Sequence, residues 1–86
     1  MIGKSLRSSE RRTKAEDIQV VYHLIFRNAY YSFESYIEGS ENQKNYCYIE
    51  NITDDEGEAE AFLKLMVNGT VLPLHMKDMV EDYFGI

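Results

Sequence analysis

The chain has 86 residues, with nine basic against fifteen acidic side chains and a net charge of −6. That length holds one small domain with a thin core, because a chain of this size buries only about 60–65% of its unfolded surface. One cysteine excludes an internal disulfide framework, and no apolar run approaches the ~18 residues of a membrane-spanning helix. The first residues are charged and no apolar segment follows them, so neither a signal peptide nor a membrane location is expected and the cytoplasm is the expected compartment.

Charge divides the chain unevenly. Lys4, Arg7, Arg11, Arg12 and Lys14 stand against Glu10 and Glu16, which leaves residues 1–16 at +3 and residues 17–86 at −9. Ile2 and Leu6 are the only sizeable apolar side chains there besides Met1. Such a segment cannot bury enough surface to offset its ordering entropy, so the composition predicts a disordered basic arm over 1–16 and a single domain over 17–86. A basic arm is one route to nucleic acid. Five basic residues without interleaved aromatics, ahead of a strongly acidic domain, argue against that partner.

Ile18 to Phe26 is rich in β-branched and aromatic residues and predicts a strand with two apolar faces: Val20, Tyr22, Leu24 and Phe26 on one, Val21, His23 and Ile25 on the other. Arg27-Asn28-Ala29 reads as a tight connector. Tyr30 to Glu38 alternates more cleanly, with Tyr31, Phe33 and Ile37 opposite Ser32, Glu34 and Glu38. After a polar loop, Asn45 to Asn51 predicts another strand, with Cys47 and Ile49 opposite Tyr46, Tyr48 and Glu50. No stretch between them is long enough for a crossover helix, so the strands should form a three-stranded antiparallel meander.

The period then changes. Thr53-Asp54-Asp55-Glu56 fits a capping box, and Ala59, Phe62, Leu63, Met66 and Val67 follow at helical spacing. Asn68-Gly69 reads as the stop, glycine taking the left-handed position. Pro73 suits the first turn of a second helix, in which Leu72, Met76, Met79, Val80 and Tyr83 make the apolar stripe and Gly85 ends the pattern. The fold expected is α+β: a three-stranded β-meander followed by two C-terminal helices packed on one sheet face.

Three runs, Tyr48 to Asp55, Phe62 to Met66 and Leu72 to Phe84, resemble a small clostridial-type family of uncharacterised bacterial proteins, a domain of unknown function. Members have a strand-rich first half, a capped helix and a closing helix of the pattern Pro-x-His-x-x-Asp-x-x-Glu-Asp. Here that pattern falls on Pro73, His75, Asp78, Glu81 and Asp82. Leu72 stands where members often carry a serine. The resemblance covers residues 46–84. It implies the same fold and assigns no catalytic residue.

Chemistry-bearing groups are sparse. His75, Asp78, Glu81 and Asp82 form an acidic helix face that could meet a divalent cation, but no second element supplies further ligands, so a solvated face with no metal is expected. Cys47 shares a strand face with Ile49 and reads as a small buried hydrophobe rather than the partner of His23 or His75 in a nucleophile–base pair. The glycines are isolated, with no phosphate-cradling loop, so neither a cofactor nor an enzymatic activity is expected. The seven tyrosines are the distinctive feature. If the helices cover the face of Tyr31, Phe33, Ile37, Cys47 and Ile49, then Tyr30, Tyr36, Tyr46 and Tyr48 line the other. An aromatic sheet face of that kind suits association with an unidentified protein partner, of which a homodimer is the simplest form.

Overall fold

The computed structural model describes residues 7–86. Four strands come first, β1 (Arg7–Ala15), β2 (Ile18–Arg27), β3 (Tyr30–Ile37) and β4 (Tyr46–Thr53). Helices α1 (Glu56–Gly69) and α2 (Pro73–Phe84) follow, and a short 3-10 turn at Gln43–Asn45 leads into β4. The sheet is antiparallel throughout, in the order β1-β2-β3-β4. The α+β class and the helical C-terminal half are as expected. The three-stranded meander is corrected to four strands.

The extra strand comes from the segment expected to be a disordered arm. Residues 7–15 pair along the whole of β2, from Arg7 opposite Phe26 to Ala15 opposite Ile18, across a two-residue turn at Glu16 and Asp17. Residues 1–6, including Lys4 of the expected arm, lie outside the described residues. The arm reading rested on side-chain burial, whereas β1 joins through backbone pairing with a strongly β-prone neighbour, which requires little apolar surface of its own. Charged side chains are also what an edge strand carries to discourage pairing with other chains.

The β2–β3 hairpin turns at Asn28 (φ 55) and Ala29 (φ 71). Two consecutive left-handed residues are the requirement of a tight primed turn, and an alanine occupies the second position where glycine is the easier choice. Between β3 and β4 the register shifts: Tyr31 faces Thr53 but Phe33 faces Ile49. Asn51 (φ 57) absorbs the extra length, and its N–H donates to Ser32 Oγ at 2.9 Å. This bulge twists the outer edge of β4 away from regular pairing.

Both helices lie on one face of the sheet, α2 over β4 and β3, α1 reaching β2 and β1. The core between the layers is built from Val20, Tyr22, Leu24, Tyr31 and Phe33 of the sheet with Ala59, Phe62, Leu63, Met66, Met76 and Val80 of the helices, all buried. Phe62 anchors it, with its ring 5.1 Å from Phe33, 5.2 Å from Tyr83 and 5.3 Å from Phe84. Tyr22 is fully buried, and its hydroxyl donates to the Val71 carbonyl at 2.8 Å, which ties β2 to the connection between the helices. That burial pushes its phenol up to about 12.

The helix ends differ in detail from the sequence reading. Thr53 closes β4, and its Oγ1 accepts from the Asp55 N–H; Asp55 is the true N-cap, its carboxylate accepting from the Glu58 N–H at 3.0 Å. The expected box is displaced because the strand runs on through Thr53, which leaves the next acceptor, Asp55, to cap. At the other end α1 includes Gly69, and Thr70 (φ 47) takes the left-handed position. Thr70 Oγ1 lies 3.3 Å from Thr13 Oγ1 of β1, a contact across the two layers at that residue. Helix α2 begins with Pro73 after Leu72, which offers no side-chain cap.

Candidate functional site

With one sheet face under the helices, the other is left to side chains of alternate parity. Tyr30, Tyr36, Tyr46 and Tyr48 all point to it, since the residues beside them, Tyr31, Phe33, Cys47 and Ile49, belong to or pack on the core. Tyr36 faces Tyr46 across β3 and β4, and Tyr48 faces Glu34. Tyr46 and Tyr48 are 50% and 38% exposed, adjacent projections of the outermost strand. Tyr30 does not join this group. It lies at the far end of β3 beside the hairpin turn, about 20 Å along the strand from Tyr36.

A polar chain crosses the same face. Glu34 of β3 accepts from the Tyr46 hydroxyl through Oε2 at 2.8 Å and contacts His23 Nδ1 through Oε1 at 2.7 Å. His23 Nε2 lies 3.0 Å from Glu10 Oε1 of β1. Glu10 Oε2 accepts from Arg12 Nε at 2.7 Å, and Arg12 Nη1 donates to Glu38 Oε1 at 2.7 Å. All four strands thus contribute to one alternating series of acids and donors, which runs from Tyr46 on β4 to Arg12 on β1 and back to Glu38 after β3.

The series has two consequences. Glu38 pairs by backbone with Gln19 of β2, so the Arg12–Glu38 bridge passes over β2 beside Val21, which is opposite Arg12 and Tyr36 in register. Val21 is 0% exposed although no helix covers it. A long side-chain stem and a tyrosine ring can shield an apolar neighbour while their polar ends stay wet. The second consequence is protonation. A carboxylate accepts hydrogen bonds and cannot donate them, so an imidazole with a carboxylate on each nitrogen is satisfied only as the doubly protonated cation. Burial draws His23 down, yet the hydrogen bonds to Glu34 and Glu10 outweigh it and hold the imidazole above its ordinary value. His23, with Arg12 beyond it, in turn lowers the Glu10 carboxyl. Loss of water around the Tyr46 hydroxyl and the adjacent Glu34 carboxylate push that phenol up to about 12.

The other sequence candidates are dispersed. His75, Asp78, Glu81 and Asp82 are exposed on α2, on the helical layer and away from the tyrosines, and Glu81 is within 3.8 Å of Lys77. Among the described residues, no group of three or more His, Cys, Asp or Glu side chains is placed to hold a metal ion. Cys47 is half-buried on the helix-covered face, opposite Ser35, while His23 lies on the open one. Burial raises its thiol, which keeps it protonated and weakly nucleophilic.

Glu10, Arg12, His23, Glu34 and Glu38 are the functional-face residues that sequence reasoning missed as a group. One link was within reach: counting five residues back from Asn28 and five forward from Ala29 brings His23 opposite Glu34, as observed. The links to Glu10 and Arg12 were not, because β1 carried no strand signal.

No helix among the described residues is long and apolar enough to cross a membrane. No curated protein and no solved structure matches the chain. The chain belongs to a family of unknown function, DUF6514, matched over residues 4–85 and so including strand β1.

Proposed function

We propose that this protein is a non-catalytic, cytoplasmic interaction module that associates through the helix-free face of its sheet, with a second copy of itself as the partner. The observation that carries the reading is the placement of Tyr46 and Tyr48, half-exposed and adjacent, beside polar groups that already satisfy one another. Tyrosine suits such a surface because it buries a large area at low entropy cost. Glu10, Arg12, His23, Glu34 and Glu38 on this face are paired with one another within the chain. Covering that part of the face would therefore leave these five groups with their partners. Both signs of charge are present, so two copies can face each other without like charges dominating. The non-catalytic part of the reading draws on His23, whose ring nitrogens are both engaged, and on Cys47, whose thiol is held protonated. The clostridial-type bacterial origin belongs to the same reading and rests on the resemblance of the closing helix.

A nucleic-acid regulator working through basic residues 4–14 has less support. Arg12 is held by Glu10 and Glu38, and the chain as a whole is acidic. Sedimentation or light scattering tests the main reading: a dimer is expected at ~100 μM, and a strict monomer would overturn self-association. Binding to nucleic acid that falls steeply with salt and is lost when Lys4, Arg7, Arg11 and Lys14 are replaced by glutamine in a chain that still folds would favour the alternative.

A further inference from the structure

The polar chain on the open face has a weak link of known chemistry. His23 lies on β2, between Glu10 of β1 and Glu34 of β3. Glu34 is the fixed side: its side chain is 22% exposed and its second oxygen holds the Tyr46 hydroxyl. Glu10 is the loose side, 44% exposed and carried by the edge strand. A neutral imidazole has one N–H and one lone pair. It can keep one carboxylate and must turn a lone pair toward the other. The more exposed and less constrained carboxylate is the one that leaves. Glu10 is also the group through which Arg12, and beyond it Glu38, connects to the centre of the face.

We propose that Glu10, His23 and Glu34 form a proton-operated clasp that fastens edge strand β1 to the sheet, closed when His23 carries both protons and released at the Glu10 side when it loses one. The clasp works within one chain and does not depend on the face docking a partner.

The groups that face His23 are few and can be named. β1 supplies Glu10 directly and Arg12 on the second oxygen of Glu10; β3 supplies Glu34 and the Tyr36 ring, 5.9 Å away. β4 supplies Tyr46 through Glu34, with Tyr48 opposite Glu34, and Glu38 acts through Arg12. The helices lie on the other face.

The sign follows from the two shifts. His23 is raised above 6.5, so its contribution is complete below 6.5 and is lost as pH rises through its folded value. Glu10 is lowered below 4.5, so its contribution is complete above 4.5 and is lost as pH falls through its folded value. The clasp is fully closed in the mildly acidic window between 4.5 and 6.5 and opens on the alkaline side when His23 deprotonates.

The test is amide exchange by NMR on the full chain at about pH 5.5 and about pH 8.5, with β1 amides compared with β3 amides of the same sample so that base catalysis cancels. Protection of β1 relative to β3 should fall about three- to tenfold at the higher pH. The drop should disappear in Glu10→Gln, whose amide can accept a hydrogen bond from neutral imidazole or donate one to it. The ring nitrogens of His23 give a readout needing no variant: their midpoint should lie above 6.5 and move down in Glu10→Gln. A β1-to-β3 ratio independent of pH would overturn the proposal, as would the same drop in Glu10→Gln. A drop that vanished on about tenfold dilution would also overturn it, because it would then belong to association.

Discussion

The two faces of this sheet bury their central residues by different means. Beneath the helices, Val20, Tyr22, Leu24 and Phe33 are covered by a second apolar layer, and the polar atoms there are few. On the other face Val21 is equally inaccessible, yet its neighbours are an arginine, a tyrosine and a series of ion pairs. The first arrangement draws on the hydrophobic effect and tolerates little change in volume. The second draws on long amphipathic side chains whose polar ends remain near water, where each ion pair adds little to stability. The contrast teaches that burial alone does not mark a core. On the helical side it reflects packing that holds the fold, and on the open side it reflects an ordered surface.

If that distinction is right, substitutions of comparable size should have unequal effects on the two sides. Phe62→Ala, at the centre of the helical side, should cost about 3–5 kcal/mol by urea denaturation, enough to unfold much of a domain this small. A loss below about 1 kcal/mol would show that the helices are not the principal cover of the sheet. Tyr22→Phe keeps the ring and removes the donor to the Val71 carbonyl, so a loss of about 1–2 kcal/mol is expected, with greater exchange of amides in the connection between α1 and α2. The double change Tyr46→Ser and Tyr48→Ser on the open side should alter monomer stability by less than about 1 kcal/mol while abolishing the dimer seen by sedimentation. Loss of the fold instead would place these tyrosines with the core. Ser35→Ala has the smallest expected effect. Its hydroxyl is buried on the helical side without a hydrogen-bond partner among the described residues, so its removal should leave stability unchanged or raise it by up to about 1 kcal/mol.

Strand β2 was legible in the sequence because its side chains are apolar on both faces, and α1 and α2 because their apolar residues recur at helical spacing. Strand β1 was not legible. Its residues are charged or small, without regular alternation, and nothing in Arg7 to Ala15 distinguishes a solvated arm from an edge strand until β2 stands beside it. The same gap hid half of the open face. Parity put the four tyrosines on one sheet face, but it settled neither which face the helices cover nor how the tyrosines cluster: parity cannot tell that Tyr30 sits at the far end of β3, whereas register can. The caps show the limit at smaller scale. Thr53 and Asp55 are both competent N-caps, and the choice fell to Asp55 because β4 extends through Thr53. Thr70, a poor left-handed residue by itself, terminates α1 within hydrogen-bonding distance of Thr13.

By itself, then, the amino-acid sequence determined the α+β class, the presence and order of the two helices, the alternation of β2, β3 and β4, and which tyrosines share a sheet face. All of these depend on the spacing of side chains within one element, which local backbone geometry converts directly into faces. Only the tertiary structure decided that the chain begins its sheet one strand earlier, that Val21 is covered without a helix, and that Glu10, His23 and Glu34 meet. Those outcomes depend on which strands become neighbours and in what register. Pairing energy for β1 resides in backbone groups common to every residue, so the side chains of that segment carry no signature of it.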